Sequence, residues 1–278
     1  AAHLPPGVLE IVDGDGAVGA QLAEAAVDVV AHVGSTATGR RIAEACARTD
    51  AKALLENGGN DPLIVDEGVD PEWAAAQAAL GAFANAGQIC VSVERIYVHA
   101  ALADPFLAAL TREAQEWETR IGPLVDREHR RHVHGHVDGA VAAGARALTG
   151  GAVPEGPGAF YPPTVLIGCV PDMAVLSEET FGPVAPVRVV PDFAAALREA
   201  GDDRYGLAAS VLTADMAHAQ AAWRELPVGT VKVNGVFGGA PGGASQPRRA
   251  SGSGFGFGPE LLDEMTAVKV VHLAPART

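Results

Sequence analysis

The chain has 278 residues, 48% of them hydrophobic, enough for one large domain or two modest ones with a sizeable core. Asp and Glu number 34 against 20 Lys and Arg, and the net charge of −14 excludes generic phosphate-backbone binding and argues against an anionic membrane surface. Its 33 glycines and 19 prolines stay below low-complexity levels, which excludes disorder as the main state, and no apolar run approaches the roughly 18 residues of a membrane span.

The N-terminal part alternates strand and helix signals. Residues 8–12 predict a short strand, a glycine-rich turn follows, and 18–26 predict a helix. Residues 27–33 predict a second strand, whose near-continuous apolar character suits a parallel strand covered on both faces. Gly34-Ser35-Thr36 opens a helix through about Arg48, with Ile42, Ala45 and Cys46 on one face. Residues 52–56 predict a third strand, ended by Asn57-Gly58-Gly59. This alternation is that of a parallel α/β sheet with right-handed crossovers.

An alanine-rich helix is predicted over 71–85, with Pro71 at its start and Gly87 just past its end. A strand over 94–99 and helices over 104–117 and 126–144 follow. Residues 160–166, 184–190 and 231–234 predict strands, and 238–258, rich in Gly, Ser and Pro, predict a loop. The chain ends in a helix near 259–265 and a strand over 268–271. It contains no internal repeat.

Several residue groups could carry chemistry. Gly14-Asp15-Gly16-Ala17-Val18-Gly19 fits G-x-G-x-x-G between strand and helix, the context of a dinucleotide fingerprint, but turn-making in a glycine-rich chain explains it equally. The segment Gly34-Ser35-Thr36-Ala37-Thr38-Gly39 offers either an anion site at a helix N-terminus or an ordinary N-cap by Ser35 or Thr36. Cys90 reads as a small buried hydrophobe or as a nucleophile. Glu56 projects from the carboxyl end of a strand, as a general base or as a solvated loop acid.

His129, His132 and His136 share one helical face, with His134 beside them. A metal site is conceivable there, but the intervening arginines favour a solvated helix face, and no metal is expected. The three cysteines, Cys46, Cys90 and Cys169, are odd in number and lack C-x-x-C spacing, which fits free thiols in a reducing cytoplasmic setting. Cys46 and Cys169 read as core. The first residues have neither the basic run nor the apolar run of a signal peptide.

Taken together these segments resemble the aldehyde dehydrogenase superfamily, from near residue 4 to residue 273. Glu56-Asn57-Gly58-Gly59-Asn60-Asp61-Pro62 is similar to its glutamate motif. Asn85-Ala86-Gly87-Gln88-Ile89-Cys90 is similar to its cysteine motif, at a spacing the family shows. Glu178-Glu179-Thr180-Phe181-Gly182-Pro183-Val184 resembles the nicotinamide-ribose motif. Gly34-Ser35-Thr36 resembles the cofactor-phosphate turn, and Ser251-Gly252-Ser253-Gly254 the C-terminal loop.

The resemblance implies an α/β fold: an aldehyde-dehydrogenase-like catalytic domain with a truncated Rossmann-type parallel sheet. It implies a remnant of the dinucleotide-binding domain over 1–57, a catalytic domain over 58–255, and a tail with an oligomerisation strand over 256–278. The implied activity is oxidation of an aldehyde to a carboxylic acid with NAD or NADP. Cys90 would form a thiohemiacetal and then a thioester, its backbone N–H partly holding the oxyanion. Glu56 would assist hydrolysis. Coenzyme A-dependent relatives tend to lack that base, so Glu56 implies release of a free acid. The implied cofactor contacts are Gly34, Ser35, Gly39, Asn57, Glu179 and Phe181. A homo-oligomer is implied, with no nucleic acid and no membrane as partner. The 14–19 match is demoted, because in the family that segment lies by the adenine end.

The chain also departs from the family. Family members are much longer, and the expected counterpart here is their C-terminal portion. The first strands of the sheet, the oxyanion-hole asparagine, and the lysine and acid that grip the adenosine ribose have no counterpart in it. His32 and Val33 replace the usual aromatic and Thr before the phosphate turn. The link from Trp117 to Ile121-Gly122-Pro123-Leu124 is shortened. Pro241-Gly242-Gly243 lacks the Phe often found there, which alters the expected substrate mouth. The alternatives implied are an inactive remnant acting as an oligomerising protein, or a residual NAD-independent thioesterase or esterase.

Overall fold

The computed structural model describes residues 3–238 and 246–276, in which the chain builds two sheets. The expected change at Pro241-Gly242-Gly243 lies outside the described residues.

Helix α1 (Gly16–Ala23) begins where the Asp15 carboxylate accepts the Ala17 N–H. Strand β1 (Val29–Val33), helix α2 (Thr36–Thr49) and strand β2 (Lys52–Glu56) form a parallel βαβ unit, in register from Val29 against Lys52 to Val33 against Glu56. The Ser35 hydroxyl caps α2 by accepting the Thr38 N–H at 3.2 Å, and Asp50 ends it in the left-handed region at φ +59°.

The chain then enters the larger sheet. Strand β3 (Asp61–Val65) is buried along its whole length. Helix α3 (Pro71–Phe83) is capped by Asp70, and its alanines, among them Ala74, Ala75, Ala78 and Ala79, let it sink fully into the core. Strand β4 (Val93–His99), helix α4 (Ala103–Trp117), helix α5 (Arg127–Ala142) and strand β5 (Arg146–Thr149) follow. Next come strand β6 (Thr164–Ile167), the single turn α6 (Ala174–Ser177), strand β7 (Val184–Val190), helix α7 (Phe193–Gly201) and strand β8 (Ala208–Leu212). Helix α8 (Met216–Glu225) and strand β9 (Thr230–Val233) complete this layer. The short strand β10 (Gly252–Ser253) and helix α9 (Pro259–Glu264) end the described elements.

The seven-stranded sheet runs β5-β6-β7-β4-β3-β8-β9 and is parallel except at β5–β6. Leu63, Ile96, Val98, Phe83, Phe106 and Leu110 form the core between this sheet and α3–α4, and Ile64, Val211 and Phe193 form another cluster with α7 and α8. The smaller sheet runs β1-β2-β10, so the chain crosses back at Gly252 to pair antiparallel with Glu56. Gly252 sits at φ +126°, and a Cβ there would strike the Leu55 carbonyl, so only glycine closes this crossing.

Three predicted strands need correction. Residues 8–12 and 268–271 are unpaired and exposed, Val268 at 95%. Both have strand composition, but a strand exists only as a member of a ladder, and neither segment has a neighbour among the described residues. The strand over 160–166 is shorter than predicted: Pro162 and Pro163 have no N–H to donate, and pairing starts at Thr164. Conversely, β3 went unpredicted because Asp61 and Pro62 disguise its start.

Candidate active site

A cavity of about 540 Å³ lies where the two sheets meet. The turn into α2 (Gly34, Ser35, Thr36), the end of β2 (Glu56, Asn57, Gly58), Cys90, and the 178–181 segment all line it. Of the residues singled out from sequence, Gly34, Ser35, Glu56, Asn57, Cys90, Glu179 and Phe181 share this wall. Gly39 is not on it. It is buried in α2 against Asn57, whose side-chain amide occupies the space a Cβ would need.

Cys90 reaches the cavity through an unusual backbone. Asn85, Ala86 and Gly87 all have positive φ, at +51°, +57° and +71°. Gly87 is pressed against the Gly182 carbonyl, where a Cβ has no room. Gln88 fixes the turn from outside: its amide reaches the Asn85 and Pro123 carbonyls, and it accepts the Val125 N–H at 2.8 Å. Cys90 therefore stands exposed at the amino end of β4, whereas Cys46 and Cys169 are buried. Among the described residues the Cys90 N–H has no acceptor, so it is free for an incoming oxygen. Burial, then the carboxylates of Asp61 and Glu56, push the Cys90 thiol up from its usual value, while the Val91 N–H pulls it down.

Glu56 ends β2 on the facing wall. Partial burial raises its carboxyl to about 6, partly offset by the Gly256 N–H. A Cβ at Gly256 would fall on the Glu56 carboxylate, so the C-terminal loop seats this acid directly. Its Oε1 is buried without a hydrogen-bond partner among the described residues. An acid at about 6 with an unengaged oxygen is ionised at neutral pH and able to take a proton.

Glu179 crosses Gly58, which has no Cβ to block it, and accepts the Gly59 N–H at 2.9 Å. Burial raises it to about 7. Asn57 donates to the Ala250 carbonyl at 3.2 Å, and the Thr36 hydroxyl donates to the same oxygen at 3.1 Å. The 249–251 turn thus ties the mouth of α2 to the end of β2. The N–H groups of the first α2 turn open into the same cavity and present positive potential to an anion.

Sequence reasoning missed three features. Of the α5 histidines only His132 is exposed, so they are not simply a solvated face. His129 Nε2 donates to the Phe181 carbonyl at 2.6 Å, His132 Nε2 donates to the Glu179 carbonyl at 3.3 Å, and His136 Nδ1 lies 3.1 Å from the Thr180 hydroxyl. Their three-and-four spacing was the available signal, but their partners lie some fifty residues away. The second is Glu94, buried on β4, which accepts the Thr180 and Phe181 N–H groups. The third is Asp61, whose Oδ1 accepts the Ala208 N–H while burial raises its carboxyl to about 8. Among the described residues no group of three or more His, Cys, Asp or Glu is arranged to hold a metal ion. No helix is long and apolar enough to cross a membrane.

A family model described as the aldehyde dehydrogenase family matches residues 1–271. A putative NADP-dependent succinate-semialdehyde dehydrogenase of Mycolicibacterium smegmatis is 36% identical over 97% of this chain and 54% of its own length. Betaine aldehyde dehydrogenase of Bacillus subtilis is 37% identical over 98% of this chain and 58% of its own. Among solved structures, betaine aldehyde dehydrogenase of Staphylococcus aureus with NAD+ bound matches at a TM-score of 0.86 and 32% identity, covering 90% of this chain and 52% of that one. A 3,6-anhydro-L-galactose dehydrogenase solved with NADP matches at 0.89 and 36% identity, over 93% and 57%. The chain spans about half the length of the curated relatives it matches.

Proposed function

The chain belongs to the aldehyde dehydrogenase family, and from that premise we propose that its cavity oxidises an aldehyde to a carboxylic acid with NAD or NADP through covalent intermediates on Cys90. The observation that carries this reading is the cavity joining an exposed thiol, a carboxyl group with one oxygen unpartnered among the described residues, a helix N-terminus and Glu179.

The residues present fit the phosphate and nicotinamide-ribose end of such a cofactor. The Gly34-Ser35-Thr36 turn would face the pyrophosphate, and Glu179, lying across Gly58, would bond ribose hydroxyls. When bound, the nicotinamide supplies the two-electron acceptor. The chain's own residues do the rest. Cys90 passes its proton to solvent, its thiolate attacks the aldehyde carbon, and its free N–H faces the oxyanion of the thiohemiacetal. Oxidation leaves a Cys90 thioester. Glu56 takes a proton from the water that attacks the thioester carbon and returns it to the departing Cys90 thiolate, which releases the free acid and restores the thiol.

The exposed apolar run at 268–271 supports a homo-oligomer in which it pairs with a partner's sheet, and light scattering tests this. A second reading rests on Cys90 and Glu56 lining one cavity: hydrolysis of activated esters or thioesters with no NAD. Titration of the chain with NAD and NADP, followed by protein fluorescence, separates the two. Saturable binding with aldehyde-dependent cofactor reduction is the expected result. Absence of binding at millimolar cofactor, with esterase activity retained, overturns the redox reading in favour of the second.

A further inference from the structure

The turn at 179–181 is held at four backbone groups, the carbonyls of Glu179 and Phe181 and the N–H groups of Thr180 and Phe181, by residues from two elements on opposite sides. From α5, His129 and His132 donate to the carbonyls of Phe181 and Glu179. From β4, Glu94 accepts both intervening N–H groups: its Oε2 takes Thr180 N–H at 3.1 Å and its Oε1 takes Phe181 N–H at 3.0 Å. Between them Phe181 adopts φ +52°, a left-handed conformation that phenylalanine rarely adopts.

Glu94 is only 4% exposed, and none of the ion pairs among the described residues includes it. Burial, with Glu179 nearby, raises its carboxyl to about 8, partly offset by the Phe181 and Thr180 N–H groups, and an aliphatic side chain in β4 avoids the cost of burying it. The two N–H groups of the left-handed turn account for the acid. A carboxyl group, with one oxygen placed at each donor, matches them in a way no other side chain of that length does. Glu94 also lies on the strand that Cys90 leads into, so one stretch of chain carries the thiol and fixes the turn opposite it.

We propose that Glu94 is a positioning residue for the cofactor turn: by holding the Thr180 and Phe181 N–H groups it locks Phe181 left-handed and aims Glu179 across Gly58 into the cavity, while His129 and His132 brace the other edge. The proposal rests on the reading that this cavity takes a nicotinamide cofactor.

The test uses the whole chain with Glu94→Gln, which keeps shape and one acceptor but sets an amide N–H against the second donor, and with Glu94→Ala. Site-resolved hydrogen exchange and NAD(P) titration are the two readouts, with exchange in the β4 and β7 backbone as the control. In Glu94→Gln, exchange at Thr180 or Phe181 should rise about tenfold and cofactor affinity fall by a similar factor, the scale of one buried hydrogen bond. The control amides should stay at the parent rates, and Glu94→Ala should extend the effect to both turn amides. Turn amides that keep the parent rates in both variants overturn the clamp. Faster turn exchange with unchanged affinity overturns its positioning role, and an equal rise across β4 and β7 reduces Glu94 to general stability. A parent chain that binds no cofactor defeats the cofactor reading instead, and the exchange rates alone then decide whether Glu94 sets the turn.

Discussion

The two sheets differ in completeness. In the seven-stranded sheet, Leu63, Ile64 and Ile96 are fully buried and helices cover both faces. In the three-stranded sheet, Val33 is 81% exposed and β1 has no neighbour on its outer edge among the described residues. The thiol and the 178–181 turn stand on the first sheet, and the phosphate turn and Glu56 on the second. Attack by Cys90 draws chiefly on the larger sheet, hydrolysis by Glu56 on the smaller one, and cofactor affinity on both. The following variants test that division.

The largest effect is all-or-none. Cys90→Ala should abolish labelling by a thiol-directed aldehyde analogue, while Cys46→Ala and Cys169→Ala, at buried positions, keep it. Mass spectrometry of the labelled chain decides this, and labelling that survives in Cys90→Ala removes the nucleophile assignment. Next in size, Leu63→Ala in the middle of the larger sheet should cost about 2–5 kcal/mol in denaturant unfolding, because the surrounding strands cannot close on the cavity.

Glu56→Gln should slow hydrolysis of acyl-Cys90, formed from an activated ester without cofactor, by a factor on the order of 10². The parent rate should rise as pH increases through about 6, where Glu56 loses its proton and becomes a base, and the Gln variant should lose that inflection. An unchanged inflection would move the base elsewhere. Asp61→Asn should have a smaller effect, of opposite sign at high pH. Folded, Asp61 keeps its proton up to about 8, and unfolded it loses it near 4. Between those values the folded chain holds more protons, so stability falls as pH rises. Asparagine retains the acceptor for Ala208 and carries no charge, so thermal melts at pH 8 should favour the variant and melts at pH 5 should not.

Much of this was legible in the sequence because it is local. β2 and β7 fall on the predicted residues, and the capped start of α2 follows from a small-residue turn before a helix. What stayed hidden depends on pairing across the chain. Residues 8–12 and 268–271 have the composition of strands but no ladder, while β3 has a ladder on both sides and a Pro that masks it. The α5 histidines illustrate the same limit: their shared face could be read, but the carbonyls at Glu179 and Phe181 that they grip could not. Glu94 gave no signal at all, since a single acid in a strand is informative only once its two N–H partners are known.

The smallest expected effect tests the unfinished sheet most directly. Val33 pairs through its backbone with Glu56, and its side chain lies open at the cavity rim. Val33→Ser leaves the ladder in place and removes apolar surface that water already reaches. The unfolding free energy should therefore change by no more than about 0.5 kcal/mol. The change should also be independent of protein concentration, because β1 has no neighbour on its outer edge among the described residues. Denaturant midpoints at two concentrations tenfold apart measure both quantities. A cost well above that bound, growing with concentration, would mean that another copy covers β1. The smaller sheet would then be completed between chains, and the contrast between the two sheets would belong to the isolated chain and not to its assembly.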